Sequence, residues 1–261
     1  MLFWERMDKF VKAANLPCDA ELCVIGEKYL SLLQKPLDDL GIEVLAVPDN
    51  KCVDQRLSSH ADLSVFHAGG KQLFLASCLK NTDFVEKLTQ SGFDLHFCAE
   101  NQEKTYPYDA MLNICSLDNS FIHSPKVSDK AVISFLMGQG RRGISCKQGY
   151  CRCSVCVVDD KSIICADKGI STACRNQGID VLEIQPGSIE LKGFDYGFIG
   201  GAAFKISSEK LAFTGTLDHH PDKSAILDFL EEHQVSPVFL TDIPIFDIGS
   251  AVPITEKERK N

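Results

Sequence analysis

The stretch HADLSVFHAGGKQLFLA, residues 60–76, lies over YCRCSVCVVDDKSIICA, residues 150–166, without a gap. Ser64 meets Ser154, Val65 meets Val155, Lys71 meets Lys161 and Ala76 meets Ala166. Both read as a strand, a turn at Gly69-Gly70 or Asp159-Asp160, and a second strand. A helical pattern follows each, residues 82–91 and 168–177, and then a short apolar strand, residues 93–98 and 179–184. The turn inside each unit is too short for a parallel crossover, so its two strands pair as a hairpin.

Three further segments fit the same frame: PYDAMLNICSLDNSFIH from Pro107, GFDYGFIGGAAFKI from Gly193, and IPIFDIGSAVPI from Ile243. The last has no helix and strand after it. Both are present at the other end of the chain, as residues 27–40 and 42–47. The expected fold is therefore α/β: a ββαβ unit repeated five times, a propeller-like ring closed by pairing of the N- and C-terminal segments, which removes exposed sheet edges. Strand–helix alternation alone also fits a doubly wound sheet. The hairpin within each unit and the wrap-around favour the ring. Residues 18–261 read as one domain of five repeats, and residues 1–17 as an amphipathic helix packed on it, with Phe3, Met7, Phe10 and Val11 on one face.

One column of the alignment holds Asp62, Asp109, Arg152, Asp195 and Asp247. Two residues on, the same strand face carries Ser64, Met111, Ser154, Gly197 and Gly249. Small residues suit strands converging on an axis. The reading is a narrow central channel lined by four carboxylates and one guanidinium. Such a set is not buried unpaired, so water and Arg152, or a cationic ligand, must satisfy it. The competing reading is that each Asp hydrogen-bonds a nearby turn backbone.

Composition narrows the partners. A net charge of −9 argues against a nucleic-acid backbone or an anionic membrane surface and is compatible with a small cationic ligand. The chain opens without an apolar core of signal-peptide length, and no apolar run is long enough to span a membrane. Its 12 cysteines are then expected to be reduced thiols in the cytoplasm, most of them serving as small hydrophobes.

Three stretches carry a resemblance to the pentein fold, the family of guanidino-group-modifying enzymes. Pro186-Gly-Ser-Ile-Glu-Leu-Lys-Gly-Phe-Asp195, followed by Tyr-Gly-Phe-Ile-Gly-Gly, is similar to the family's Pro-Gly…Glu-Gly-Gly-Asp segment. His60-Ala-Asp62 resembles the His-x-Asp of the deiminases, and residues 249–255 resemble the Gly-rich C-terminal segment that carries the nucleophilic Cys. The resemblance implies a five-bladed ββαβ ring and a site for a guanidine or amine. It also implies His60 as acid/base and Asp195 as a ligand of the cation, which Asp62 and Asp247 of the aligned column are expected to share. The family includes deiminases, dimethylargininases, amidinotransferases and a non-catalytic ribosome anti-association factor. This chain departs from the pattern, because no Cys follows Cys174 and Pro253 stands where the nucleophile would.

Cys115 lies six residues after Asp109, the offset of Pro253 from Asp247, and is the candidate nucleophile. Strand alternation turns Cys151 and Cys153 away from the channel if Arg152 faces in. The spacing of Cys146, Cys151, Cys153 and Cys156 does not fit a zinc knuckle, and neither a metal nor another cofactor is expected. Arg141 and Arg142, in a Gly-rich loop, are candidates for a ligand carboxylate. His67 reads as a packed histidine. Two functions follow: a small-molecule site for a guanidine or amine with hydrolase or amidinotransferase chemistry, or a non-catalytic binding or assembly module.

Overall fold

The computed structural model describes residues 9–257. It contains five three-stranded sheets of one plan: an antiparallel hairpin, then a third strand parallel to the hairpin's second strand. The first sheet is composite. Its strand β1 (Ala20–Gly26) lies between β2 (Glu43–Val47) and the last strand, β15 (Val252–Glu256). The other four are continuous in sequence. They are β3 (Val65–Gly69), β4 (Gln72–Leu75) and β5 (Asp94–Phe97); then β6 (Cys115–Ser116), β7 (Ser120–His123) and β8 (Arg142–Ser145). Next come β9 (Val155–Val157), β10 (Ser162–Cys165) and β11 (Asp180–Glu183); and finally β12 (Ala203–Ser207), β13 (Lys210–Phe213) and β14 (Ser236–Phe239).

A parallel third strand requires a crossover, and a helix supplies it in each unit. These are α1 (Leu30–Asp39), α2 (Asp83–Gln90), α3 (Lys130–Gly138), α5 (Lys168–Arg175) and α6 (Lys223–Glu232). Local chemistry starts three of them. Thr82 Oγ1 accepts from Val85 N, Asp129 Oδ1 from Ala131 N and Val132 N, and Asp167 Oδ1 from Ile170 N. Such side chains satisfy amides that have no partner within the helix. Apolar residues four apart, such as Phe84 and Leu88 in α2, then bury the inner face.

The five hairpins, their helices and the N- to C-terminal pairing agree with the expected repeat. No sheet closes on itself, so continuous closure by hydrogen bonds is not how the units are held. Side chains link them. One apolar cluster joins Val24, Val252, Phe74 and Phe121, spanning the first three sheets. Others join Ile122 to Ile163, Ile164 to Leu211, and Cys23 and Ile25 to Phe204. The last of these brings the fifth sheet back against the first, where β12 also meets β15.

The expected N-terminal helix falls partly on residues 1–8, with Phe3 and Met7, which lie outside the described residues. Residues 9–17 are not helical. Phe10 bridges Thr255, Val11 N donates to Ile254 O, and Glu256 N donates to Lys9 O. The free side of β15 offered this segment backbone partners, and Phe10 is half-buried against Phe93 with ring centroids 4.7 Å apart. Among the described residues, no helix is long and apolar enough to cross a membrane.

A second departure decides the site. Asp62 and Arg152 do not lie on strands. Each sits in a helical turn just before one: Ala61–Leu63 before β3, and α4 (Cys151–Ser154) before β9. Asn113 Oδ1 accepts from Arg152 N and Cys153 N at 2.7 and 3.1 Å and so caps the second turn. In a helical turn, residues three apart share a face, whereas in a strand residues two apart do.

Candidate functional site

A cavity of about 250 Å³ opens beside the two helical turns. Its wall includes His60 and Leu63 from one turn and Tyr150 and Cys153 from the other. These are matching positions of the 60–76 and 150–166 stretches, each pair three residues apart. Asp247 and the aromatic residues Phe194, Tyr196 and Phe198 complete much of the rest. The site is thus acidic and sulfur-bearing at its inner end, with aromatic rings towards its mouth, where Phe194 and Tyr196 are exposed.

Asp247 is held by backbone. Its carboxylate accepts from Gly249 N at 2.8 Å and Phe198 N at 2.9 Å. Gly197 and Gly201 press against it so closely that a Cβ on either would overlap the Asp247 side chain. Gly249 has φ +70° and faces His60, where a Cβ would overlap the histidine's own Cβ. Gly249→Ala is therefore expected to cost about 2–3 kcal/mol from backbone strain and displacement of His60. A urea midpoint unchanged from wild type would refute this.

His60 is 2% exposed, and burial pulls its pKa down, opposed by Asp247, whose Oδ1 lies 3.9 Å from His60 Nδ1. Among the described residues, His60 Nε2 has no hydrogen-bond partner. Asp62 is equally buried. Its Oδ2 accepts from the Cys153 thiol at 2.9 Å, and its Oδ1 has no hydrogen-bond partner among the described residues. Burial pushes the Asp62 carboxyl up to about 7, Asp247 adding to the effect and the Cys153 hydrogen bond opposing it. Burial, with Asp62 and Asp247 nearby, raises the Cys153 thiol well above its ordinary value. Asn113 Nδ2 donates to the same sulfur at 3.2 Å. One ligand atom each from His60, Asp62 and Cys153 lie within 4.8 Å of one another.

The remaining expected residues fall in three places. Asp109 is buried behind Tyr150, whose hydroxyl donates to its Oδ2 at 2.5 Å; desolvation raises its pKa and this bond opposes the rise. Asp195 is exposed and stands on the cavity wall near the mouth. Arg152 does not line the cavity. Its guanidinium donates to Val155 O and Gly200 O, both at 3.0 Å, to Ala203 O at 3.4 Å, to Ser250 Oγ at 2.5 Å and to Asn15 Oδ1 at 3.2 Å. It is used to join backbone segments, and among the described residues no Lys or Arg forms an ion pair with Asp62, Asp109 or Asp247.

Cys115 is fully buried on β6, beside Ile122 and Ile144, and burial pushes its thiol up to about 12. It is not on the cavity wall. Cys153 is, although strand alternation sent it to the opposite face. Arg141 donates to Ser116 Oγ and Arg142 to Gln177 O, both away from the cavity wall. His67 is packed between Pro253 O at 3.1 Å and Gly70 O at 2.9 Å, as a structural histidine would be.

A family model described as a family of unknown function (DUF6873) matches residues 24–252. No curated protein sequence matches the chain. Among solved structures, the chain is similar to SxtG, an amidinotransferase from Microseira wollei in the saxitoxin biosynthetic pathway. The identity is 8% and the TM-score 0.58, over 96% of this chain and 98% of that one. It is also similar to the inosamine-phosphate amidinotransferase StrB1 from Streptomyces griseus, at 9% identity, TM-score 0.57 and the same coverage. A third similar structure is DDAH from Pseudomonas aeruginosa, at 10% identity and TM-score 0.53, over 86% of this chain and 92% of that one. The likeness extends over nearly all of each chain, and at these identities it concerns the fold.

Proposed function

The chain belongs to the DUF6873 family of unknown function and has a pentein-like fold, and on the chemistry of its own cavity we propose that it binds a small cationic molecule, a guanidine or an amine. The observation that carries this reading is Asp247, buried on the cavity wall and without a Lys or Arg partner among the described residues. A carboxylate in that position favours a cation that can enter. Asp195 at the mouth adds a second negative charge on the path inward. The rings of Tyr150, Phe198 and Tyr196 follow one another at centroid distances of 6.2 Å and present faces suited to a cationic head group. Asp62 and Asp109 stand behind the wall, where a cation in the cavity would favour their ionised forms against the burial that raises them. The propeller-like ring is the arrangement that the sheet-to-sheet clusters support, with the cavity beside its inner turns.

A second reading rests on Cys153, the thiol that shares the cavity wall with His60. As a thiolate it would attack a guanidinium carbon. His60 would give a proton to the departing amine, and water or an acceptor amine would release the carbon group from sulfur. This is hydrolase or amidinotransferase chemistry with the thiol in an earlier repeat than the resemblance implied. Without turnover, the same cavity serves a non-catalytic binding protein.

Calorimetric titration with methylguanidine, agmatine, arginine and putrescine tests the first reading against neutral urea analogues of the same shape. Binding of at least one cation, weakened about tenfold or more in Asp247→Asn, is expected. Equal binding of the neutral analogues, or binding by none of the panel, would overturn it. For the thiol reading, mass spectrometry should find Cys153 alkylated, with the bound cation changing the rate. Product formation that survives Cys153→Ser would remove it.

A further inference from the structure

We propose that His60, Asp62 and Cys153 form a site for one divalent zinc-class ion, with an open coordination position facing the cavity. The inference goes beyond the organic-cation reading, which is carried by Asp247 and Asp195.

The donor set is the first argument. One neutral imidazole nitrogen, one sulfur and one carboxylate oxygen suit zinc, and the thiolate selects against magnesium and calcium. Tetrahedral zinc holds such ligand atoms about 3.5 Å apart. Here all three lie within 4.8 Å, and Cys153 Sγ is already 2.9 Å from Asp62 Oδ2. Small side-chain adjustments close the site.

The second argument is what these groups lack. Among the described residues, His60 Nε2 and Asp62 Oδ1, on side chains each 2% exposed, are buried with no hydrogen-bond partner, although Asn113 stands near the Asp62 carboxyl. Two orphaned polar atoms in one cluster are costly unless something satisfies them. A metal ion does so at once.

The surroundings are the third. Metal-bound histidines commonly offer their other ring nitrogen to a carboxylate, and Asp247 Oδ1 stands 3.9 Å from His60 Nδ1. Closing that gap to a hydrogen bond would leave Nε2, the orphan, for the metal. Asn113 Nδ2 donates to Cys153 Sγ, as amides do to liganded thiolates. His60 and Cys153 both line the cavity, so the ion can enter from there and keep a water on that side. Three protein ligands and an open position are the pattern of catalytic rather than structural zinc. On binding, the Cys153 thiol passes its proton to bulk water, and Asp62 exchanges that hydrogen bond for the metal.

The test uses the full chain without a histidine tag, stripped with chelator and titrated with Zn²⁺ against a chromophoric competitor, then with Co²⁺. One ion per chain is expected, with a thiolate-to-cobalt charge-transfer band. Cys153→Ser should abolish that band, and Asp62→Asn or His60→Gln should weaken zinc by about a hundredfold or more. Near-UV circular dichroism confirms that each variant is folded, and the three substitutions guard against loss of any one. Cys146→Ser is the control, because Cys146 Sγ lies 3.5 Å from Cys151 Sγ and is the competing thiol pair. No ion retained at micromolar affinity by the folded wild type overturns the proposal. So does a cobalt band that survives Cys153→Ser and is lost in Cys146→Ser. Guanidine titration of the metal-free chain is scored separately. Guanidine binding without zinc binding ends this inference alone, and the reverse ends only the organic-cation reading.

Discussion

Arg152→Ala is expected to destabilise the chain by about 4 kcal/mol, read as a fall in urea midpoint and a melting temperature lower by roughly 10 °C. The side chain is 5% exposed and donates to three carbonyls, one hydroxyl and one side-chain amide oxygen. Those acceptors come from before β1, from the start of β9, from the approach to β12 and from the turn before β15. Hydrogen bonds to a charged group are worth more than neutral ones, and truncation strands their acceptors in a buried place. Arg152→Lys should recover less than half of the loss, because an ammonium on a flexible stem cannot reach in several fixed directions at once. A loss below about 1 kcal/mol for Arg152→Ala would mean that these bonds are replaceable by water. Ligand affinity of the folded fraction should hardly change, since the guanidinium is directed away from the cavity.

Asp62→Asn is expected to act in the opposite direction, and only at higher pH. The Asp62 carboxyl titrates near 7 in the folded chain, against an ordinary value of 3.8. The folded state therefore holds this proton more tightly than the unfolded state does. Stability from this group is complete below about 3.8, declines as pH rises, and has been lost by about pH 7 to 8. The full swing is about 4 kcal/mol. Asparagine carries no such titration. The stability of the variant relative to wild type should thus climb by about that amount between pH 4 and 8, in urea denaturation with chelator present. Parallel profiles for the two proteins would show that Asp62 ionises as freely as in water. A bound cation beside Asp62 should flatten the wild-type profile, because it favours the ionised form.

The hairpin units were legible in the sequence because each is a local pattern: an alternating run, a turn, a capped helix with apolar residues four apart, and a short apolar strand. The wrap-around was legible for the same reason, as a unit with two halves at opposite ends of the chain. The site was only half legible. The repeat alignment brings Asp62 and Asp247 into one column, and of the two Asp247 lies on the cavity wall while Asp62 sits behind it against Cys153. Other residues on the cavity wall lie just off that column, two positions before it or one after. His60 and Tyr150 precede it, and Leu63 and Cys153 follow it. Reading Ala61–Leu63 and Cys151–Ser154 as strand put Cys153 on the wrong face, and no run of apolar residues marks a single helical turn. What could have revealed it is the spacing of His60 to Leu63 and Tyr150 to Cys153, three apart in both units. Asp195 reaches the cavity wall, but as an exposed residue near the mouth. It stands eight residues before β12, whereas Asp62 stands three before β3, so an ungapped frame slips along the longer loop. Cys115 shares an offset with Pro253, but the offset places it inside β6, among core side chains.

The composite first sheet has a consequence for synthesis. Strand β1 needs β15, whose residues are made more than 220 positions later. At about 5–20 residues per second, β1 waits roughly 10–50 s on the ribosome before its antiparallel neighbour exists. Asp247 belongs to that same late segment, beside Gly249 and Ser250. Four of the sheets can pair while the chain is still growing, but the cavity acquires its buried carboxylate only when the last segment docks. A nascent chain stalled before residue 247 is thus a nearly built protein with no buried carboxylate on its cavity wall, and its first strand is open to pairing with a neighbour.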